Sequence, residues 1–88
     1  MKPEQILAAA EKYKKKLEQN HHPLMYARFS KLANYEFGLD HCLWMIEQIE
    51  QFVIEGKLEK AMRWLCFIQG CLWMNRHYTI NELANDNR

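Results

Sequence analysis

The sequence predicts an all-α protein, a small helical bundle built on an antiparallel helical hairpin. Apolar residues recur at intervals of three and four positions, which is the helical period. Gly56 separates two long helical runs with almost no connecting residues, as in a helical hairpin. No strand-like alternation, internal repeat or low-complexity segment interrupts this pattern in the 88 residues. We therefore expect one helical domain over residues 1–88, small enough to gain stability from association.

The N-terminal helix is predicted to run from Pro3 to Gln19. Proline suits the first helical position because its missing N–H would have no partner there. A narrow core stripe is formed by Ile6, Ala10, Tyr13 and Leu17. Residues 20–23 end the helix, and a short flanking helix is predicted for residues 24–33.

The first helix of the hairpin is predicted over residues 39–55 and ends at Gly56, a residue suited to a left-handed C-terminal cap. Its start has two interpretations: Asp40 is the N-cap, with Leu39 and Trp44 in contact as a hydrophobic staple, or the helix begins near Tyr35. Its inner stripe comprises Cys42, Ile46, Ile49 and Val53, widened by Leu39, Met45 and Phe52.

The second helix of the hairpin is predicted over residues 57–76 and changes character along its length. Its early turns keep a polar side at Glu59 and Arg63, whereas two turns later that side carries Gly70 between Cys66 and Trp73. A helix that is apolar all round must be covered on every side. Either the rest of the chain or a second copy covers it, and we expect a homodimer. Its two apolar stripes are Ala61, Leu65, Ile68 and Leu72, and Trp64, Phe67, Cys71 and Met74.

The last predicted helix has the clearest start signal. Thr79-Ile-Asn-Glu82 fits a capping box, and Tyr78 and Leu83 occupy the staple positions. We expect this helix to be brief and its end, residues 85–88, to fray.

Charge and cysteine content argue against several functional classes. The net charge of +1 gives no general attraction to nucleic acid or membranes. Cys42, Cys66 and Cys71 are odd in number and lie in apolar helical runs, so we expect buried thiols in a reducing compartment. No signal peptide or membrane-length apolar run is visible, and a cytoplasmic location is the expectation.

No arrangement of residues predicts catalysis or a metal site. There is no Cys-x-x-Cys, and Cys66 and Cys71 point about 140° apart on a helix. Ser30 is the only serine, and the glycines form no phosphate loop. We therefore expect a non-enzymatic protein without catalytic residues, metal or cofactor.

Two groups of residues are candidate binding sites. Trp44 shares a helix face with Gln48 and Gln51, and Trp73 lies away from the Leu65 stripe, so both are candidate partner anchors together with Trp64 and Gly70. The alternative is structural, with Trp44 as a staple and Trp73 as a lid on the last helix. A second candidate is a basic, nucleic-acid-binding cluster, although lysines late in a helix also complement its dipole in solvent. This cluster comprises Lys12, Lys14, Lys15 and Lys16.

The stretches 41–45 (HCLWM), 59–73 (EKAMRWLCFIQGCLW) and 78–83 (YTINEL) resemble a family of small bacteriophage and prophage proteins of unassigned function. The resemblance covers residues 38–88, excludes the basic first helix, and departs at Cys66, where the family has a small residue. It implies a phage accessory protein in a bacterial cytoplasm that binds and modulates a host protein, and it supplies no catalytic residues.

Overall fold

The structure is a computed structural model that describes residues 1–20 and 35–88, with the side chains of residues 1–20 and 38–88. Its helices are α1 (Pro3–Gln19), α2 (Tyr35–Ile54), α3 (Leu58–Met74) and α4 (Ile80–Asp86). The described residues contain no strand, and the all-α prediction is confirmed. The short helix predicted for residues 24–33 lies outside the described residues.

Helix α1 has the bounds that the sequence predicts. At its start, the backbone N–H of Lys2 donates to the Gln5 side-chain carbonyl over 2.7 Å, which satisfies one N-terminal donor. All four residues of the predicted stripe are fully buried, and they carry α1 onto α2 and α3: Ile6, Ala10, Tyr13 and Leu17.

Helix α2 begins at Tyr35, which agrees with the earlier of the two predicted starts. The alternative with Asp40 as N-cap is wrong, because Asp40 lies inside the helix and is buried. Cys42, Ile46 and Ile49 are fully buried, as predicted, whereas Val53 near the turn is only partly covered.

A Schellman motif at Gly56 closes α2 and reverses the chain. Gly56 has φ of +78°, its N–H donates to the Val53 carbonyl over 3.1 Å, and the N–H of Lys57 donates to the Phe52 carbonyl over 2.8 Å. A left-handed conformation at this position is the reason for glycine. The turn is so short that α3 packs antiparallel on α2, which confirms the predicted hairpin.

Helix α3 ends at Met74, two residues before the predicted bound. A second Schellman motif stops it: Arg76 has φ of +63°, its N–H donates to the Trp73 carbonyl, and the N–H of His77 donates to the Leu72 carbonyl. Because Arg76 takes the place of the usual glycine, the sequence does not signal this end. The stripe facing α1 and α2 is buried as predicted: Ala61, Leu65, Ile68 and Leu72.

Helix α4 begins with the predicted capping box. The Glu82 N–H donates to Thr79 Oγ1 over 3.1 Å, and the Thr79 N–H donates to Glu82 Oε1 over 3.1 Å. The backbone N–H and the side chain of Thr79 lower the pKa of the Glu82 carboxyl, because hydrogen bonds to the carboxylate favour its charged form. Leu83 is buried in the core, and Tyr78 is partly buried against it. None of the helices in the described part of the chain is long and apolar enough to cross a membrane.

Candidate interaction surface

The C-terminal half of α3 exposes an apolar face, which we call the outer α3 face. Phe67 is 55% exposed, Trp73 46% and Met74 64%, and Cys66 and Gly70 are also open to solvent. These residues lie within about 120° of one another around the helix, opposite the stripe that packs on α1 and α2. The outer α3 face is thus the side on which the sequence loses its polar residues. The described residues leave it uncovered.

Helix α4 extends this surface by forming an apolar groove with α3. The groove has a volume of about 290 Å³, and Ile80, which contributes to its wall, is 61% exposed. Trp73 is one of the residues that line the groove. The groove is lined by Gln69, Gly70, Trp73, Ile80, Leu83, Ala84 and Asn87.

A network of polar side chains fixes α4 in this position. The Tyr13 hydroxyl donates to Asp86 over 2.6 Å, and Gln69 Nε2 donates to the Tyr13 hydroxyl over 3.0 Å. Gln69 and Asn87 exchange two amide hydrogen bonds of 2.6 and 3.0 Å, and Lys12 pairs with Asp86 at 3.0 Å. Three helices therefore meet in one satisfied network.

The prediction that residues 85–88 fray is wrong, because hydrogen bonds hold this end of the chain on the bundle. Asp86 and Asn87 bind α1 and α3, and the Arg88 carbonyl accepts a hydrogen bond from Gln5. Desolvation by burial raises the pKa of Tyr13, and donation to Asp86 raises it further. The phenol is held neutral as a hydrogen-bond donor.

Two of the predicted anchors lie in an aromatic cluster between α2 and α3. The rings of Trp44 and Trp64 are 5.9 Å apart, and Phe52 meets Trp64 edge-on at 4.9 Å. His41 stacks on Trp44 at 5.5 Å, and burial lowers the pKa of His41. Both tryptophans are partly buried against the core. They contribute to hairpin packing as well as to the surface.

The predicted site residues therefore divide into two groups. Trp44 and Trp64 are in contact, whereas Gly70 and Trp73 line the groove beside α4. Gln48 is half-buried on α2, and Gln51 donates to Glu55 over 3.2 Å on the exposed side of that helix. The structure does not join these four positions of α2 and α3 into one patch with Gly70 and Trp73.

The lysine cluster is partly engaged within the chain. Lys12 forms the ion pair with Asp86, and its ammonium lies 5.0 Å from the centre of the Tyr78 ring. Lys16 lies 5.9 Å from the same ring, while Lys15 points to solvent and Lys14 is half-exposed. The basic surface is thus coupled to the packing of Tyr78 and α4.

The three thiols have different environments: the prediction that all are buried is confirmed for Cys42, holds only in part for Cys71 and is wrong for Cys66. Cys42 is buried, Cys71 is partly exposed, and Cys66 is exposed on the outer α3 face. The reason is geometric, because Cys66 shares the side of Arg63 and Gly70, which faces away from α1 and α2. The described residues contain no group of three or more His, Cys, Asp or Glu that could hold a metal ion.

Three exposed apolar residues of this surface were not predicted as site residues: Phe67, Met74 and Ile80. Phe67 and Met74 belong to the second apolar stripe, and only the packing shows that α2 covers Trp64 and Cys71 of that stripe but not these two. Ile80 follows the Thr79 cap, where an apolar residue has no folding role that the sequence would reveal.

No protein-family model, curated protein or solved structure matches this chain. The resemblance of residues 38–88 to phage proteins gains no support from these comparisons.

Proposed function

We propose that this protein is a non-enzymatic interaction module that uses the outer α3 face to bind a second copy of itself. The observation that carries the proposal is the exposure of Phe67, Trp73 and Met74 on one side of a well-packed helix. Aromatic side chains bury about 150–250 Å² each, so half-exposed Phe67 and Trp73 each offer about 100 Å². With Met74 and Ile80 the apolar area is about 400 Å², which is within the range of functional patches.

The arrangement of the outer α3 face favours an identical partner. Phe67 lies three residues before Gly70 and Trp73 lies three residues after it. If two α3 helices pack antiparallel with a two-fold axis at Gly70, Phe67 of each copy meets Trp73 of the other. The symmetric dimer then contains two contacts between Phe67 and Trp73. Gly70 has no side chain between the helices, which permits close approach.

The apolar area of the outer α3 face is smaller than a stable interface. Stable interfaces bury about 800 Å² on each partner, about twice the apolar area available here. The rim of the interface must then include polar side chains such as Arg63. We therefore expect a dimer that forms at micromolar rather than nanomolar concentration.

Sedimentation equilibrium of the wild-type protein and of Gly70→Leu tests the dimer. A Cβ at Gly70 meets nothing within 4 Å, and leucine is the better helix former. At a concentration too low for dimerisation, the variant should therefore unfold at a higher temperature than the wild-type protein. In the dimer the same side chain would separate the two helices. We expect Gly70→Leu and Trp73→Ser each to weaken dimerisation at least tenfold.

The matched control is Ile54→Ser, which removes an apolar side chain that is 76% exposed at the end of α2. This change should leave dimerisation unaltered. A wild-type protein that stays monomeric at high concentration contradicts the proposal, as does a Gly70→Leu variant that dimerises normally.

The partner that we propose beyond a second copy is a bacterial host protein, which this accessory protein would modulate from the cytoplasm. This part of the proposal is supported by the resemblance of residues 38–88 to phage proteins. It is tested by binding of the wild-type protein and the Trp73→Ser variant to a purified candidate partner.

A further inference from the structure

Cys42 and Cys71 lie at the same level of the α2–α3 hairpin. Cys42 is 14 residues before Gly56 (56 − 42), and Cys71 is 15 residues after it (71 − 56). A helix rises 1.5 Å per residue, so the two positions are about 21 and about 22 Å from the turn. Because α2 and α3 are antiparallel neighbours, this register places the cysteines opposite each other.

The two thiol groups also lie near each other. Cys42 belongs to the buried cluster of the core, and Cys71 packs against that cluster from α3. Each thiol also perturbs the pKa of the other, which indicates that the two sulfurs are close together. Packed helices have axes about 8–10 Å apart and a Cα radius of about 2.3 Å, so facing Cα atoms approach to about 4–5 Å. A disulfide spans Cα atoms about 4.4–6.8 Å apart. Residues that face each other across packed helices are therefore at a spacing that a disulfide can span.

The environments of the two sulfurs assign them different roles. The interaction with Cys71 raises the pKa of the Cys42 thiol, burial raises it further, and Cys42 has no exposed surface. The same interaction lowers the pKa of Cys71, which is partly exposed. Because an oxidant in solution can reach Cys71 but not buried Cys42, Cys71 is the attacking thiol and Cys42 the resolving one. Cys66 is about 140° away from Cys71 around α3 and takes no part in the pair.

We propose that Cys42 and Cys71 form a reversible thiol oxidation site, which a small disulfide such as oxidised glutathione converts to a disulfide joining α2 and α3. The Cys71 thiolate attacks one sulfur of the oxidant, whose S–S bond breaks to release one glutathione thiolate. The Cys42 thiol then loses its proton and attacks Cys71 Sγ, which breaks the mixed disulfide and releases the second glutathione. Two protein thiols are oxidised, and one glutathione disulfide is reduced to two thiols.

The experiment uses the full chain carrying Cys66→Ser, which removes the exposed thiol and with it disulfides between copies. Reduced protein is freed of reductant and incubated with oxidised glutathione. It is then treated with an alkylating reagent under denaturing conditions, and its mass is measured by mass spectrometry. We expect the mass of the unmodified chain less two hydrogens, no alkylation, and a cross-linked peptide pair containing Cys42 and Cys71. The oxidised protein should unfold at higher urea concentration than the reduced protein, and dithiothreitol should reverse the shift.

Cys66→Ser,Cys71→Ala is the matched control, and it should form no internal disulfide and should alkylate once, at Cys42. The proposal is overturned if the Cys66→Ser protein alkylates twice after oxidation, or if it retains glutathione on Cys71 without forming the internal disulfide. It is also overturned if the linked species appears only when the protein is oxidised in denaturant. These outcomes do not depend on dimerisation, which is measured separately on reduced protein.

Discussion

At the scale of single residues, Tyr13 joins the core to the surface. Its ring is buried in the bundle, while its hydroxyl connects Asp86 of α4 to Gln69 of α3. Such a network is sensitive to the protonation of the phenol, because a tyrosinate cannot donate to a carboxylate. The tyrosine therefore makes the docking of α4 depend on pH in the alkaline range.

We expect the free energy of unfolding to fall as the pH rises above about 10, the value at which an unfolded tyrosine ionises. The folded-state pKa of Tyr13 is raised, so its contribution is complete below the unfolded pKa and is lost as the pH rises toward the folded one. Urea unfolding across this range should show a smaller alkaline loss for Tyr13→Phe. At neutral pH that variant should be about 1–2 kcal/mol less stable, because the network loses one donor. If Tyr13→Phe loses as much stability at alkaline pH as the wild-type protein, groups other than Tyr13 cause the loss.

At the scale of elements, the two Schellman motifs show what the sequence could reveal. The first contains Gly56 and was predictable, because glycine is the usual residue in a left-handed cap. The second contains Arg76 and was not, so the predicted end of the helix lay two residues too late. The core stripes of α1 and α3 follow directly from the helical period. The coverage of Trp64 and Cys71 and the exposure of Phe67 and Met74 depend on how the helices pack, which periodicity alone does not specify.

The paired caps give a matched test of backbone strain. Gly56→Ala should lower the free energy of unfolding by about 1 kcal/mol, because alanine is strained at a φ of +78°. Arg76→Gly should raise it by up to about 1 kcal/mol, because it removes the same strain at a φ of +63°. Thermal unfolding followed by circular dichroism measures both. Stabilisation by Gly56→Ala would contradict the assigned cap.

The aromatic cluster between α2 and α3 assigns Trp44 a part in folding. Trp44→Ala removes contacts with Trp64 and His41, and we expect it to lower stability by about 1–3 kcal/mol without weakening dimerisation. Trp73→Ala is the matched change on the outer α3 face. It should weaken dimerisation while leaving the stability of the monomer nearly unchanged. If Trp44→Ala instead leaves the melting temperature unchanged and disrupts binding, Trp44 is an interface anchor, as its polar neighbours on the helix suggested.

At the scale of the whole molecule, charge and apolar surface are separated. Lys12 and Lys16 of α1 lie beside Tyr78, and Lys12 pairs with Asp86. Apart from Leu7 and Ile54, the exposed large apolar residues lie along α3 and at the start of α4. The sequence indicated both groups but not their positions relative to α4. That helix is held by Gln69, Asp86 and Asn87, polar residues whose pairing across 18 and 73 positions has no periodic signal. This pairing across the chain explains why an end predicted to fray is in fact docked.

We expect the lysine cluster to bind little nucleic acid. Lys12 is neutralised by Asp86, Lys16 lies against Tyr78, and the chain as a whole has a net charge of only +1. Phosphate contacts release counterions, so real binding would weaken steeply with salt. Fluorescence anisotropy with labelled duplex DNA and single-stranded RNA, at low and near-physiological salt, measures this. Weak binding at low salt should disappear near physiological salt.

Lys14→Gln,Lys15→Gln,Lys16→Gln is the decisive variant, and Lys57→Gln at the start of α3 is the control for a general change in charge. Two results together would identify the lysine cluster as a phosphate-binding surface. The wild-type protein would bind tightly at physiological salt, and the triple change, but not Lys57→Gln, would remove both the affinity and its dependence on salt concentration. The ion pair between Lys12 and Asp86 would then couple that surface to α4, and through Ile80 to the groove beside the outer α3 face. Without such binding, the role left to Lys12 is to pair with Asp86 of α4, and the outer α3 face remains the surface that we propose for association.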